Sequence, residues 1–371
     1  MVFDELKYQI GITLIPKIGC INAKRLIAYC GGVEAVFKQN RRSLTKIPGI
    51  GNKIAHEVLN HDVLAQAERE VEFIHRHGIT PLFYLDPHYP HRLRQCDDGP
   101  VMLYTKGIDS VNLDQAKVIS IVGTRSITDY GKSMCENLVE QMSERGHSPL
   151  IVSGLAYGVD VCAHKAALRG GLHTAAVLGH GLDTIYPSVH REVARSIAKH
   201  GILVSDFPSK TAFDRNNFIR RNRIIAGLAD ATIVIESAEQ GGALITADLA
   251  ISYNRDVLAV PGAVGNKYSE GCNKLIKINR AALIESVLDI EYHLGWESPD
   301  DSPKQKQRTL FPTLSDDEQC VFNLLKTSGQ EEIDFICHKT KMPVAKVSAI
   351  LLSLEFAGLI KCKPGKVFAI L

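Results

Sequence analysis

The sequence predicts an α/β protein: a Rossmann-like, doubly wound, mostly parallel sheet at the centre, with a helical segment before it and a winged-helix pattern after it. Three observations carry that prediction. From Val118 onward, short β-branched runs alternate with helical stretches. The runs are apolar along their whole length rather than at every second residue, so both faces of the sheet must be covered. The residues directly after the runs are rich in glycine, as the carboxyl edge of such a sheet requires where it meets a ligand.

The elements follow in order. VISIVG (118–123) leads to a helix over 130–145, LIVSG to a helix over 160–169, and HTAAVLG to a helix over 188–200. GILVSD precedes a helix over 218–228, ATIVIES one over 243–253, and DVLAVPG one over 271–278. Two earlier runs, PLFYL (81–85) and VMLYTKG (101–107), suit either a sheet edge or a small lead-in element. The stretch SPDDSPKQKQRTLFP contains three prolines and few large apolar side chains, so the chain divides there. The expected domains are 1–75 helical, 80–293 Rossmann-like, 294–313 linker and 314–371 winged helix. In the last of these, helices over 316–326, 333–339 and 344–357 precede a hairpin around Pro364 and Gly365.

Composition narrows the function classes. Apolar residues make up 45% and charged residues 23% of the 371, ordinary values for a globular chain. The net charge of +2 is too small to draw the whole molecule onto a polyanion, so any such site must be local. The nine cysteines contain no C-x-x-C, which disfavours a zinc ribbon or redox pair. The N-terminus lacks a leader pattern and no run approaches a membrane span, so a soluble cytoplasmic protein is expected.

Phosphate is the ligand that the glycine-rich crest suits. Gly123-Thr124-Arg125, Ser153-Gly154, Gly179-His180-Gly181 and Gly241-Gly242 follow strands, where backbone N–H groups and helix N-termini receive anions. There is neither a Walker A loop nor a dinucleotide fingerprint, so no cofactor is expected. Instead, four arginines fall within 215–223 with no acid among them. Arg220 and Arg223 are three apart on one helix face, and Phe218 adds a base-stacking surface, a combination suited to single strands. The alternative is that Phe218 is core and the arginines pair with Asp206, Asp214 or Asp230.

Other motifs also have two readings. Asp160 and His164, four apart at a helix start, suit an acid–base pair, or a helix cap with a packed neighbour. No cluster of residues has metal-ligand spacing. Near the N-terminus, IPGIG (47–51) resembles a helix-hairpin-helix turn, making Gly49, Gly51 and Lys53 secondary DNA-binding candidates; a plain turn between helices reads equally. IPKIG (15–19) is a degenerate copy, with Lys17 where the first glycine would be. The winged-helix segment carries equal numbers of acids and bases, so protein contact suits it at least as well as duplex DNA.

Taken together, YPHRLRQCDDGPVMLYTKG, IVGTRSITDYG, VSGLAYGVDVCAHKAAL, VLGHGLDTIYP, FIRRNRIIAGL, GGALITADLA, AVPG and GCNKLI resemble the DNA-processing protein A (DprA/Smf) family over about residues 85–278. The resemblance implies a SAM-like or helix-hairpin-helix module before the core and a winged helix after it. It also implies a non-enzymatic protein that binds and protects incoming single-stranded DNA during natural transformation, helps to load RecA recombinase, and dimerises through the Rossmann-like domain. Strand and phosphate contacts would then fall on Arg125, Ser153, Gly154, Phe218, Arg221, Asn222, Arg223 and the stretch Gly241, Gly242, Ala243 to Thr246. Two departures stand out. Gly241-Gly242-Ala243 replaces a serine-bearing turn, and KINRAAL puts Arg280 near a more usual glycine-alanine pair. The competing expectation is a nucleotide phosphoribohydrolase on a related core, with Asp248 of GGALITAD as its base, although Leu244 stands where that loop needs glycine.

Overall fold

The computed structural model describes residues 2–109, 111–297, 314–363 and 367–370. Residues 1–300 form one compact unit and 301–371 a second.

The first unit opens with six helices: α1 (Val2–Leu14), α2 (Cys20–Cys30), α3 (Val33–Phe37), α4 (Arg41–Leu44), α5 (Asn52–Leu59) and α6 (Val63–His77). The two IP-x-IG turns have one backbone geometry. Lys17 and Gly49 both take positive φ (64° and 79°), and Gly19 and Gly51 cap α2 and α5 in the same extended conformation. The copy that looks degenerate in sequence is therefore intact in conformation, with Lys17 adopting the left-handed state that glycine adopts more easily.

A nine-stranded sheet follows: β1 (Thr80–Phe83), β2 (Met102–Gly107), β3 (Val118–Val122), β4 (Leu150–Ser153), β5 (Thr174–Val177), β6 (Ile202–Ser205), β7 (Ala231–Val234), β8 (Asp256–Ala259) and β9 (Ala282–Leu283). The spatial order is β1-β2-β6-β5-β4-β3-β7-β8-β9. β1–β2 and β2–β6 pair antiparallel and all other neighbours are parallel. PLFYL and VMLYTKG thus form the sheet edge. Between them lies α7 (His91–Arg94), and the crossovers are α8 (Asp129–Glu144), α9 (Val159–Arg169), α10 (Arg191–His200), α11 (Arg215–Leu228), α12 (Gly242–Ser252) and α13 (Glu270–Lys277), with α14 (Val287–Leu294) closing the unit.

The period of two along each strand divides the core. Val118, Val122, Leu150 and Val152 pack with Ile224, Ile225, Ala243 and Ala247 of α11 and α12. Ile119, Ile121 and Ile151 pack on the other face with Leu138 and Val139 of α8 and Ala163 of α9. The helical N-terminal part and the sheet share a third core, in which Leu26, Ala67 and Ile74 meet Phe83, Met102 and Tyr104 of β1 and β2. The segments 1–75 and 80–293 are therefore continuous inside one unit. The fold also extends into the stretch expected as linker: Leu294 completes α14 and Trp296 packs on the α8–α9 side, while 298–313 lie outside the described residues.

In the second unit, α15 (Asp316–Ser328), α16 (Ile333–Thr340) and α17 (Val344–Phe356) pack with β10 (Gln330–Glu332), β11 (Ile360–Lys363) and β12 (Val367–Ile370), in sheet order β10-β12-β11. This is a winged helix with one strand, β10, beyond the expected hairpin. Pro364 and Gly365 lie outside the described residues.

At the amino edge of the main sheet, Asp230 joins three segments. It accepts the Val118 N–H at 2.9 Å and the Arg92 guanidinium at 2.7 and 3.0 Å. Asp230→Ala strands that amide and leaves the guanidinium only the longer Asp114 contact at 3.8 Å, and urea denaturation should show a loss of about 2 kcal/mol.

Candidate nucleic-acid interface

The strand order reverses at β3: β4, β5 and β6 lie to one side of it and β7 and β8 to the other. At such a switch point the loops leaving neighbouring strands diverge and open a crevice. Here the crevice is a cleft of about 340 Å³, lined by Gly123 to Arg125, Ala156, Asp160, Phe218, Ile219, Arg221, Asn222, Ser237, Gly241 to Ala243 and Thr246, among others.

Each wall has a local cause. The Gly123–Thr128 loop is clipped to the end of β7 by Glu236: its carbonyl accepts the Thr124 N–H at 2.8 Å, and its carboxylate accepts the Thr128 N–H and hydroxyl at 2.9 and 2.5 Å. Thr128 in turn caps α8 through the Gly131 N–H. This leaves Arg125 exposed at the rim. The opposite wall is the start of α12. Gly241 caps it with no side-chain hydrogen bond, so its first-turn amides, with the positive end of the helix dipole, border the cleft.

Arg221 forms the floor. The residue is only 3% exposed, and its guanidinium passes over Gly154 to donate to the Val177 carbonyl. A Cβ at Gly154 would lie 2.0 Å from Nη1, so only glycine lets the arginine cross there. Its Nε–H has no acceptor among the described residues. Burial lowers its pKa to about 10 against the raising effect of Asp160, so it remains charged at neutral pH.

Asp160 is buried at the start of α9. Burial raises its pKa, and the Arg221 charge, the Ala156 N–H and Arg125 pull it back. It is not hydrogen-bonded to His164. That imidazole reaches the Thr174 hydroxyl at 2.7 Å, and burial, followed by the Arg221 and His190 charges, drives its pKa down to about 3. The i, i+4 spacing makes an acid–base pair geometrically available, but Thr174 on β5 offers His164 a partner inside the core, so no such pair forms.

The other site candidates divide by position. Arg125, Phe218, Arg221, Asn222, Gly241, Gly242, Ala243 and Thr246 share the cleft. Ser153 donates to the Ile121 carbonyl at 2.6 Å, and with Gly154 it lies behind the wall. Arg220 is exposed outside the cleft, with its guanidinium 5.4 Å from the centre of the Phe207 ring.

Arg223 needs correction as a phosphate contact. It points inward, pairing with Asp206 at 2.5 Å and donating to the Asp98 carbonyl. Burial would lower its pKa, but Asp206 and its neighbours outweigh that and raise it. Arg220 and Arg223 therefore do not serve adjacent phosphates, although they share a helix face. Of the acids weighed as arginine partners, Asp206 takes Arg223, Asp230 takes Arg92, and Asp214 caps α11.

Away from the cleft, Gly49, Gly51 and Lys53 form the turn entering α5, where a Cβ at Gly49 would collide with the Arg25 guanidinium. Asp248 pairs with Arg280 at 3.0 Å over a separate depression. Residue-type reasoning passed over Glu236 and Thr128, although an acid closing the apolar run ATIVIES was a visible signal.

Comparison with known proteins follows this geometry. The model of the family described as DNA recombination-mediator protein A matches residues 80–295, more than half of the chain. The chain belongs to that family. A second match, to the DprA winged helix domain, covers 304–366. Protein Smf of Synechocystis is 32% identical over 399 residues, covering 98% of both chains, and Protein Smf of Escherichia coli is 37% identical over 290 residues, covering 75% of this chain and 74% of the relative. Among solved structures, DprA of Streptococcus pneumoniae superposes with a TM-score of 0.64 at 28% identity, over 77% of this chain and 97% of that one. DprA of Helicobacter pylori, described for its single-stranded DNA binding mode, gives 0.52 at 28% identity, over 58% and 95%.

Two stability tests follow. Arg223→Ala leaves Asp206 buried and unpaired, which should cost about 3–5 kcal/mol in urea denaturation. His164 is protonated in the unfolded chain below about pH 6.5 but stays neutral in the fold down to about 3. Between those values the unfolded state binds the extra proton, so acidification destabilises the fold by up to about 1.4 kcal/mol per pH unit. Urea midpoints at pH 7 and 4.5 should fall further for the native chain than for His164→Asn.

Proposed function

We propose that this chain binds single-stranded DNA across the cleft without turning it over, and that it acts in the cytoplasm, as a homodimer through its Rossmann-like part, to protect incoming strands and help load RecA during transformation. The observation that carries the reading is the cleft at the switch point. It joins a helix N-terminus that has no side-chain cap, the charge of Arg221 in the floor, an exposed Arg125 and the Phe218 ring. Amide dipoles and guanidinium groups receive phosphates whatever the base sequence, and an aromatic face accepts any base. The solved relative described for its single-stranded DNA binding mode supports the ligand class.

Several features weigh against the phosphoribohydrolase alternative. Asp248 is held by Arg280 outside the cleft, and His164 faces the core. The carboxylate within the cleft, Asp160, lies beside Arg221 rather than beside a proton acceptor. Among the described residues no helix is long and apolar enough to cross a membrane.

The test is fluorescence anisotropy with a labelled oligo-dT across a salt series, for the intact chain and for Arg125→Ala. Binding should weaken steeply with salt, and the variant should lower the magnitude of the log–log slope by about 0.7, the value for one phosphate on a single strand. Equal slopes for the two proteins would remove Arg125 from the interface. Release of base or sugar from nucleoside monophosphates would replace the binding reading with the enzymatic one.

A further inference from the structure

Beside the cleft mouth, three aromatic rings meet in the open. Tyr186 lies 4.6 Å from Phe213 and 5.7 Å from Phe218, and Phe213 lies 5.3 Å from Phe218, between ring centres. Phe213 is 58% exposed and Tyr186 47%, so much of their face area is left to water. Isolated exposed aromatics are ordinary, whereas three in mutual contact form one continuous apolar patch.

This patch is held in place from several directions. The Tyr186 N–H donates to His180 Nε2 at 3.2 Å, and the His180 carbonyl accepts the Ser205 hydroxyl at 2.7 Å. The loop carrying Phe213 is anchored by Glu70 of α6, which accepts the Ser209 N–H and hydroxyl at 2.8 and 2.5 Å. Asp214 caps α11 through the Asn216 N–H, and Asn217 donates to the Ala212 carbonyl at 3.3 Å. A surface so fixed loses little conformational entropy on binding.

We propose that Tyr186 and Phe213, continuing from Phe218, form a stacking platform for the bases of the strand as it leaves the cleft. The inference rests on the single-strand reading above and extends it to two residues outside the cleft. Two observations identify the occupant. Phe218 belongs both to the cleft lining and to the ring cluster, so a strand in the cleft meets the platform without a break. Of the exposed charges on the same segment, Lys210, Arg215 and Arg220 are cationic and suit the phosphates that accompany stacked bases, while the acid among them, Asp214, accepts the Asn216 N–H as the cap of α11.

The experiment measures anisotropy of labelled dT20, and of a dT20 with abasic sites along half its length, on the full chain and on Phe213→Ala, Tyr186→Ala and Tyr186→Phe. Each alanine should weaken dT20 binding about five- to hundredfold, with the salt slope unchanged because no phosphate contact is lost. Tyr186→Phe should recover what Tyr186→Ala loses. The alanine penalties should shrink on the abasic strand, which a merely structural role would not produce. Unchanged dT20 affinity in both alanine variants, equal penalties on both strands, or a change of sedimenting mass in place of affinity overturns the platform. If those results come with dT20 binding that still depends on Arg125, the cleft reading survives alone. If the native chain retains no dT20, both fall.

Discussion

The cleft depends on a charge buried where water would otherwise be. Arg221 crosses Gly154 to reach the Val177 carbonyl, with Asp160 close enough to offset part of its desolvation. A guanidinium in that position is costly unless neighbours compensate it, and the compensation here is incomplete, since Nε–H has no acceptor among the described residues. That N–H is itself shut off from water. The apolar strands set the depth, the switch point opens the crevice, and the buried guanidinium closes its floor.

A second constraint joins the helical N-terminal part to the interface. Arg223 bridges Asp206, at the end of β6, and the Asp98 carbonyl. Lys24 of α2 reaches the Cys96 and Asp97 carbonyls at 3.3 Å. Glu70 of α6 fixes Ser209 in the segment that leads to α11. The arginine-rich helix is therefore set from behind by residues of the first 75 positions, and the shared core through β1 and β2 makes that support stiff. Loosening α6 would move the loop before α11 without touching any cleft residue.

Much of the fold was legible because the buried parallel strands are apolar throughout and their helices follow at regular intervals. β9 was not, since Ala282–Leu283 is too short to carry a pattern, and α14 was passed over although Ser286 and Asp289 stand at its start in capping-box spacing. The site was legible to the level of motifs but not of individual arginines. Helical spacing places Arg220 and Arg223 on one side of α11, yet a long side chain goes where a partner is, and Asp206 is a tertiary neighbour that no local pattern identifies. Arg221, the intervening residue, enters the cleft because Gly154 leaves it room. The sequence offered that glycine as a phosphate contact, and in the structure it gives passage to a side chain from another helix.

The same constraint bears on chemistry. General acid–base catalysis needs a group that can exchange a proton near neutral pH within reach of the ligand. His164 stays neutral to about pH 3 and faces Thr174, so it is neither charged nor directed at the cleft. Asp160 is the carboxylate in the cleft, and its raised pKa would suit an acid, but Arg221 and the Ala156 N–H oppose that rise. Moving its proton would unbalance the buried charge pair on which the cleft's shape depends. An interior arranged this way ties the protonation of Asp160 to the placement of Arg221, because the two groups offset each other's burial.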